Sequence, residues 1–206
     1  MSESVALQRP GSAPPSGAAE PWHPNRPSML GIGTIIWLAS ELMFFSGLFA
    51  AYFTIRAQAA GHPWPPHPIK LDILQSGIFT AILLASSFTM QKALFDEEKG
   101  NRRGARIWLV TSFFMGLVFV LNQAYEWQTV NFTPKTNAYG SMFFLMSGLH
   151  GLHVIVGLVA MIGLYGRMAG QRGDPGEAPV FQAVSYYWHF VDVVWVGLYS
   201  ALFLLK

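Results

Sequence analysis

The fold class this sequence predicts is an all-α integral membrane bundle of five transmembrane helices. Three observations predict it. Of the 206 residues 52% are hydrophobic and only 12% are charged, about half the charge of an ordinary soluble domain. Five apolar runs each reach the roughly 20 residues needed to cross a hydrocarbon layer about 30 Å thick as a helix. The charges gather in the segments between those runs, where a chain re-entering water needs them.

Residues 1–28, MSESVALQRPGSAPPSGAAEPWHPNRPS, mix Pro, Gly, Ser and Ala without periodicity. Such a segment buries too little apolar surface to offset the entropy of ordering, so a disordered cytoplasmic tail is expected. It lacks the basic start, short apolar core and small-residue cleavage site of a secretory signal, so the first span is expected to insert uncleaved. The remainder, 29–206, forms the transmembrane domain, with spans at about 29–55, 71–91, 107–129, 138–166 and 181–205.

The first connection, RAQAAGHPWPPHPIK, holds four prolines. Proline lacks an amide donor and clashes inside a helix, so the first span must end there. The second connection, Lys92 to Arg106, carries DEEKGNRRGAR, and the fourth carries RMAGQRGDPGEAP. Both read as aqueous turns. Arg9, Arg26, Lys92, Lys99, Arg102, Arg103, Arg106, Arg167 and Arg172 fall on one side of the membrane, against Arg56, Lys70, Lys135 and Lys206 on the other. The excess of basic residues marks the cytoplasmic side, so the N-terminus is expected inside and the C-terminus outside. Trp64, Trp108 and Trp127 fall near the predicted interfaces, where amphipathic rings concentrate.

There is no cysteine. That excludes disulfides, thiolate-bound copper or zinc, iron–sulfur clusters and covalent c-type haem on this chain. The net charge of +2 carries no sign of nucleic-acid binding.

The informative residues are the polar ones inside the spans. Glu41 lies mid-run in MLGIGTIIWLASELMFFSGLFAAYFTI, roughly 18 Å from the helix start at 1.5 Å per residue. A carboxyl at that depth costs a few kcal/mol at least and is a functional candidate by default. Its own helix offers no partner: Trp37, Leu38, Phe44 and Phe45 stand three and four residues away. Ionised, it needs water or a partner from another helix; neutral, it can donate a hydrogen bond or relay a proton.

In GLHGLHVIVG of the fourth span, His150 and His153 are three apart and expected on one face, in a stripe with Met146 and Gly157. In SYYWHFVDVVW of the fifth, His189 and Asp192 repeat that spacing, share a face with Ser185 and Tyr199, and can satisfy each other. The third span ends in LNQAYEW, where Glu126 can meet Asn122 or Gln123 one turn back. Helix two carries a stripe of Ser76, Thr80, Ser87 and Gln91 suited to interhelical hydrogen bonds. Ser40, Gly47 and Ala51 on helix one, and Ser147 and Gly151 on helix four, are expected to allow close backbone approach.

Plainer readings stand beside these. His150 and His153 can serve hydrogen-bonded packing or lipid-headgroup contact, because a metal site would want further ligands nearby. A haem held between His150 and His189 is the redox alternative. Asp192 reads as a structural partner of His189 or a neighbouring helix. A small proton-coupled transporter using Glu41, His150, His153, His189 and Asp192 as a relay is another, though no internal repeat or matched pair of broken helices supports it.

Together SELMFFSGLFAAYF, QAYEW, AYGSMFFLMSGLHGLHVIVG and SYYWHFVDVVW, spread from Ile32 to Tyr199, resemble subunit III of the haem–copper cytochrome c oxidases, in the five-span bacterial form. The resemblance implies a multi-pass subunit of the bacterial plasma membrane within the aerobic respiratory chain. It implies no haem or copper on this chain, those centres belonging to partner subunits I and II. The oxidase as a whole would oxidise ferrocytochrome c with oxygen and pump protons, while this chain stabilises the catalytic subunit, supports proton uptake and binds phospholipid. The family's buried glutamate maps onto Glu41. Long members have seven spans, and this chain starts where their third helix would, so lipid contacts on the absent pair do not transfer. Subunit III of a ubiquinol or menaquinol oxidase is the alternative within the superfamily. Membership of a larger assembly with a cytochrome bc complex is compatible with the resemblance.

Overall fold

A computed structural model describes residues 29–67, 69, 71–170 and 177–205; the tail 1–28 and residues 171–176 lie outside them. Five helices follow in order: α1 (Met29–Gln58), α2 (Ile73–Glu98), α3 (Arg102–Thr129), α4 (Ala138–Gly170) and α5 (Glu177–Tyr199), the last continuing into a π-helical turn, Ser200–Leu204. All five are long and apolar enough to cross a membrane, and no strand occurs among the described residues.

The helices outrun the apolar stretches. Instead of an aqueous turn from Lys92 to Arg106, only Lys99–Asn101 separates α2 from α3. Glu, Lys and Arg are good helix formers, so the backbone ladder continues past the hydrocarbon until something breaks it. Gly100, with φ +76°, makes that break in a region that L side chains rarely adopt. Asn101 then caps α3, its Oδ1 accepting from the Gly104 amide at 3.2 Å. Asp72 does the same for α2, accepting from Gln75 N at 2.9 Å.

α5 is the hub, packing on α1, α2 and α4, while α2 lies chiefly on α3. Over half of α5's apolar stretch is buried, against 6% of α1's. Trp188 and Trp195 are the largest side chains of the core. Trp188 lies against backbone on two sides: a Cβ on Gly116 of α3 would come within 2.6 Å of its ring, and one on Gly157 of α4 within 2.8 Å. The close approaches are therefore helix to indole. The expected small-residue contacts are not made at Gly47 or Gly151, beside which a Cβ would meet nothing within 4 Å, and Ser40 and Ala51 are exposed. α1 turns that stripe away from the bundle because its bulky Phe45 and Tyr52 take the inner face.

The proline-rich connection folds back over the end of the bundle. Trp64 Nε1 donates to Tyr52 Oη at 2.9 Å, and Tyr52 in turn donates to the Ala201 carbonyl at 2.6 Å. Tyr139 donates to the Leu202 carbonyl at 2.8 Å, supplying a partner to a carbonyl in the π turn. The interfacial tryptophans of the sequence thus have protein partners: Trp127 Nε1 donates to Ser147 Oγ at 3.2 Å, and Lys92 Nζ sits 5.9 Å above the Trp108 ring.

Candidate functional site

Glu41 finds its partner across the bundle. Its Oε2 is 3.3 Å from Nε2 of His153 on α4, a contact that joins the mid-depth carboxyl of α1 to the only imidazole α4 turns its way. The other ring nitrogen, Nδ1, is 2.7 Å from the Leu149 carbonyl. A carbonyl only accepts, so Nδ1 carries a hydrogen. Nε2 then either accepts from a neutral Glu41 or, as imidazolium, donates to its carboxylate. Either way one proton is shared by the pair and its net charge is zero. That arrangement is far cheaper in hydrocarbon than a lone charge. Aromatic rings enclose it: Phe45 meets His153 edge-on at 5.1 Å, Tyr187 donates to the His153 carbonyl at 2.9 Å, and Trp37 stacks on Tyr187 at 5.4 Å. The pair is not sealed, since 24% of the Glu41 side chain and 16% of His153 remain exposed on the bundle surface.

His150 does not accompany His153. A three-residue step turns the helix by about 300°, and the remaining offset of about 60° suffices to send the two rings to different neighbours. His150 is 1% exposed, stacked on Trp195 at 4.8 Å and edge-on to Phe119 at 6.1 Å. Neither of its ring nitrogens has a hydrogen-bond partner among the described residues.

His189 and Asp192 do not satisfy each other directly either. Ser87 of α2 stands between them, donating to Asp192 Oδ2 and lying 3.0 Å from His189 Nδ1. With its one proton given to Asp192, Ser87 accepts from Nδ1–H. His189 Nε2 is 3.1 Å from Gln91 Oε1. The helix-two stripe thus becomes a polar seam: Ser76 Oγ donates to Glu126 Oε1 at 2.9 Å, and Thr80 Oγ1 accepts from Trp195 Nε1 at 2.9 Å. Gln123 reaches Glu126 Oε2 only at 3.5 Å, while Asn122 instead accepts from Gln75 at 2.8 Å. Glu126 also borders an open cavity of about 380 Å³ with Asp72, Gln75 and Asn131. Sequence reasoning missed Ser86, which accepts from Trp188 Nε1 at 2.9 Å; its adjacency to Ser87 was the available signal. It also missed Tyr187, which nothing in the sequence distinguished from Tyr186. Among the described residues, no three His, Asp or Glu side chains converge as a metal-binding group.

The fold and these polar contacts define a multi-pass helical membrane protein in which Glu41, Glu126, His153, His189 and Asp192 each have a polar partner on another helix. Residues 25–205 match the family model for cytochrome c oxidase subunit III. A probable cytochrome c oxidase subunit 3 of Mycobacterium tuberculosis is 49% identical over 185 residues, covering 88% of this chain and 91% of that protein. A probable cytochrome c oxidase subunit 3 of Nocardia farcinica and a cytochrome c oxidase subunit 3 of Thermostichus vulcanus are 47% and 35% identical, each over 88% of this chain and covering 91% and 90% of their own lengths. The chain belongs to the cytochrome c oxidase subunit III family. It is a multi-pass membrane protein, consistent with a bacterial plasma membrane, and its homologues form part of an oxidase complex.

Proposed function

We propose that this chain is the non-redox accessory subunit of a proton-pumping haem–copper oxidase that takes electrons from cytochrome c. It packs against catalytic subunit I in a complex with subunit II, steadies that subunit through turnover and supports proton uptake, with its N-terminus cytoplasmic. The observation that carries this reading is the Glu41–His153 contact at 3.3 Å. It holds one exchangeable proton at mid-membrane without net charge, which lets it buffer or orient a hydrogen-bonded cluster beside a partner. The haems and copper belong to the partner subunits. In support, His153 and His189 have both ring nitrogens in contact with protein groups. Bound phospholipid is part of the same reading.

The test compares Glu41→Gln with wild type in the intact oxidase. Faster inactivation per turnover, or loss of the subunit on purification, is the expected outcome. A variant unchanged in both respects would remove the role from Glu41. Copurification of a copper-bearing subunit II in mild detergent distinguishes cytochrome c oxidation from quinol oxidation.

A further inference from the structure

Between α3 and α4, near the membrane end that carries the α2–α3 connection, lies a groove of about 270 Å³ walled by Leu109, Val110, Phe113, Met161, Ile162 and Tyr165. Its walls are aliphatic and aromatic throughout. Arg106 stands one turn before Val110 on the same face of α3 and donates through Nη2 to the carbonyl of Met168, which is one turn past Tyr165 on α4. This bridge joins α3 and α4 about one turn beyond Val110 and Tyr165 and sets a guanidinium at that end of the groove. Arg106 Nε is buried and has no hydrogen-bond partner. Arg103, seven residues before Val110, is exposed and extends the positive charge outward along that face. On α2 the acidic residues of this end are Asp96, Glu97 and Glu98, of which Asp96 is taken up by Lys92 at 3.8 Å, and α5 begins at this end with Glu177.

An apolar slot at acyl-chain depth that ends in a cation at headgroup depth matches one kind of molecule. Basic pockets between transmembrane helices recognise anionic headgroups. We propose that this groove is a binding site for an anionic phospholipid, one acyl chain lying along Val110 and Ile162, the phosphate at Arg106 and within reach of the Tyr165 hydroxyl. This deepens the lipid-binding part of the function proposed above by giving it a place and a headgroup charge, and it holds whether or not Glu41 has the role assigned there.

The test uses the full chain purified with its partners in mild detergent, stripped of lipid and titrated with phosphatidylglycerol or phosphatidylcholine of identical acyl chains, with bound lipid counted by native mass spectrometry. Wild type should retain one phosphatidylglycerol per chain, with phosphatidylcholine roughly fivefold weaker, the effect of about one basic residue at a membrane surface. Arg106→Gln should bring the two lipids level. Val110→Trp fills the groove from a side chain already 37% exposed without touching the Arg106 bridge, and should reduce retention of both. Equal retention of the two lipids by wild type, or full retention in Val110→Trp, would overturn the proposal. If Arg106→Gln fails to fold, Val110→Trp decides. Loss of lipid with partner subunits still copurifying leaves the accessory-subunit reading intact; loss of partners with lipid retained does the reverse.

Discussion

Leu149 dictates the chemistry of His153 more firmly than Glu41 does, because its carbonyl, 2.7 Å from Nδ1, forces a hydrogen onto that nitrogen and leaves Nε2 to share a proton with the carboxyl. Removing either partner leaves the other half-buried without its match. Glu41→Gln and His153→Phe should therefore each destabilise the bundle, and the double variant should lose less than the sum. A coupling on the order of 1 kcal/mol is expected, in line with polar pairs between membrane helices. Thermal or detergent denaturation of the four proteins in the cycle measures it. Additive losses would mean that the 3.3 Å contact carries no energy. The depth of Glu41 and its want of a partner on α1 were legible in the sequence. Which histidine would meet it was not, because His150 and His153 differ by only about 60° around α4 and the rotation of that helix is set by everything else it packs against.

Among the elements, α5 sets the packing and α3 and α4 accommodate it. Trp188 occupies space that side chains at Gly116 and Gly157 would otherwise fill. Gly157→Ala would place a methyl 2.8 Å from the Trp188 ring and 3.2 Å from Tyr187, and overpacking of that kind costs about 1–3 kcal/mol. Gly151→Ala, on the same helix, meets nothing within 4 Å. It should be neutral or stabilise by up to about 1 kcal/mol through helix propensity. Melting temperatures of the two variants, measured side by side, check the contrast; equal effects would show that the indole does not pack as tightly as described. Sequence spacing flagged Gly151 for close backbone approach and placed Gly157 in the stripe of His150 and His153 on the same helix. Only packing separates the one that faces an indole from the one that faces outward. The α2 seam was more readable, since hydroxyl and amide residues recurring along one apolar helix need partners somewhere. Its correspondents on α3 and α5 emerged from how the helices dock.

Over the whole molecule, the first connection and the chain's last helical turn are held together by two phenols. Tyr52 links Trp64 to the Ala201 carbonyl, and Tyr139 bonds Leu202, tying α1, the proline-rich connection, α4 and the end of α5 into one cap. Tyr52→Phe removes both hydrogen bonds of the first phenol. At about 1 kcal/mol for each bond, the connection should open more often and be cut several-fold faster by limited proteolysis between Ala59 and Leu71. An unchanged cleavage rate would show that the loop is held by its prolines alone. The π turn Ser200–Leu204 had no signature in the sequence; its carbonyls accept from residues distant along the chain, and such a shift in hydrogen-bond register depends on where those donors lie.

Five spans, their order, and the place of each ionisable group along its span were legible in the sequence alone, because crossing a bilayer depends on a local sum of hydrophobicity over about twenty residues. The family, too, was legible in strings such as SELMFF and YYWHFVDVVW. Tertiary structure alone decided who partners whom: Glu41 with His153, Ser87 between His189 and Asp192, Trp188 against two glycines, Arg106 across to Met168. A helix fixes the angular spacing of its side chains but not its own rotation about its axis, and that one angle per helix is chosen jointly by all the neighbours it packs against.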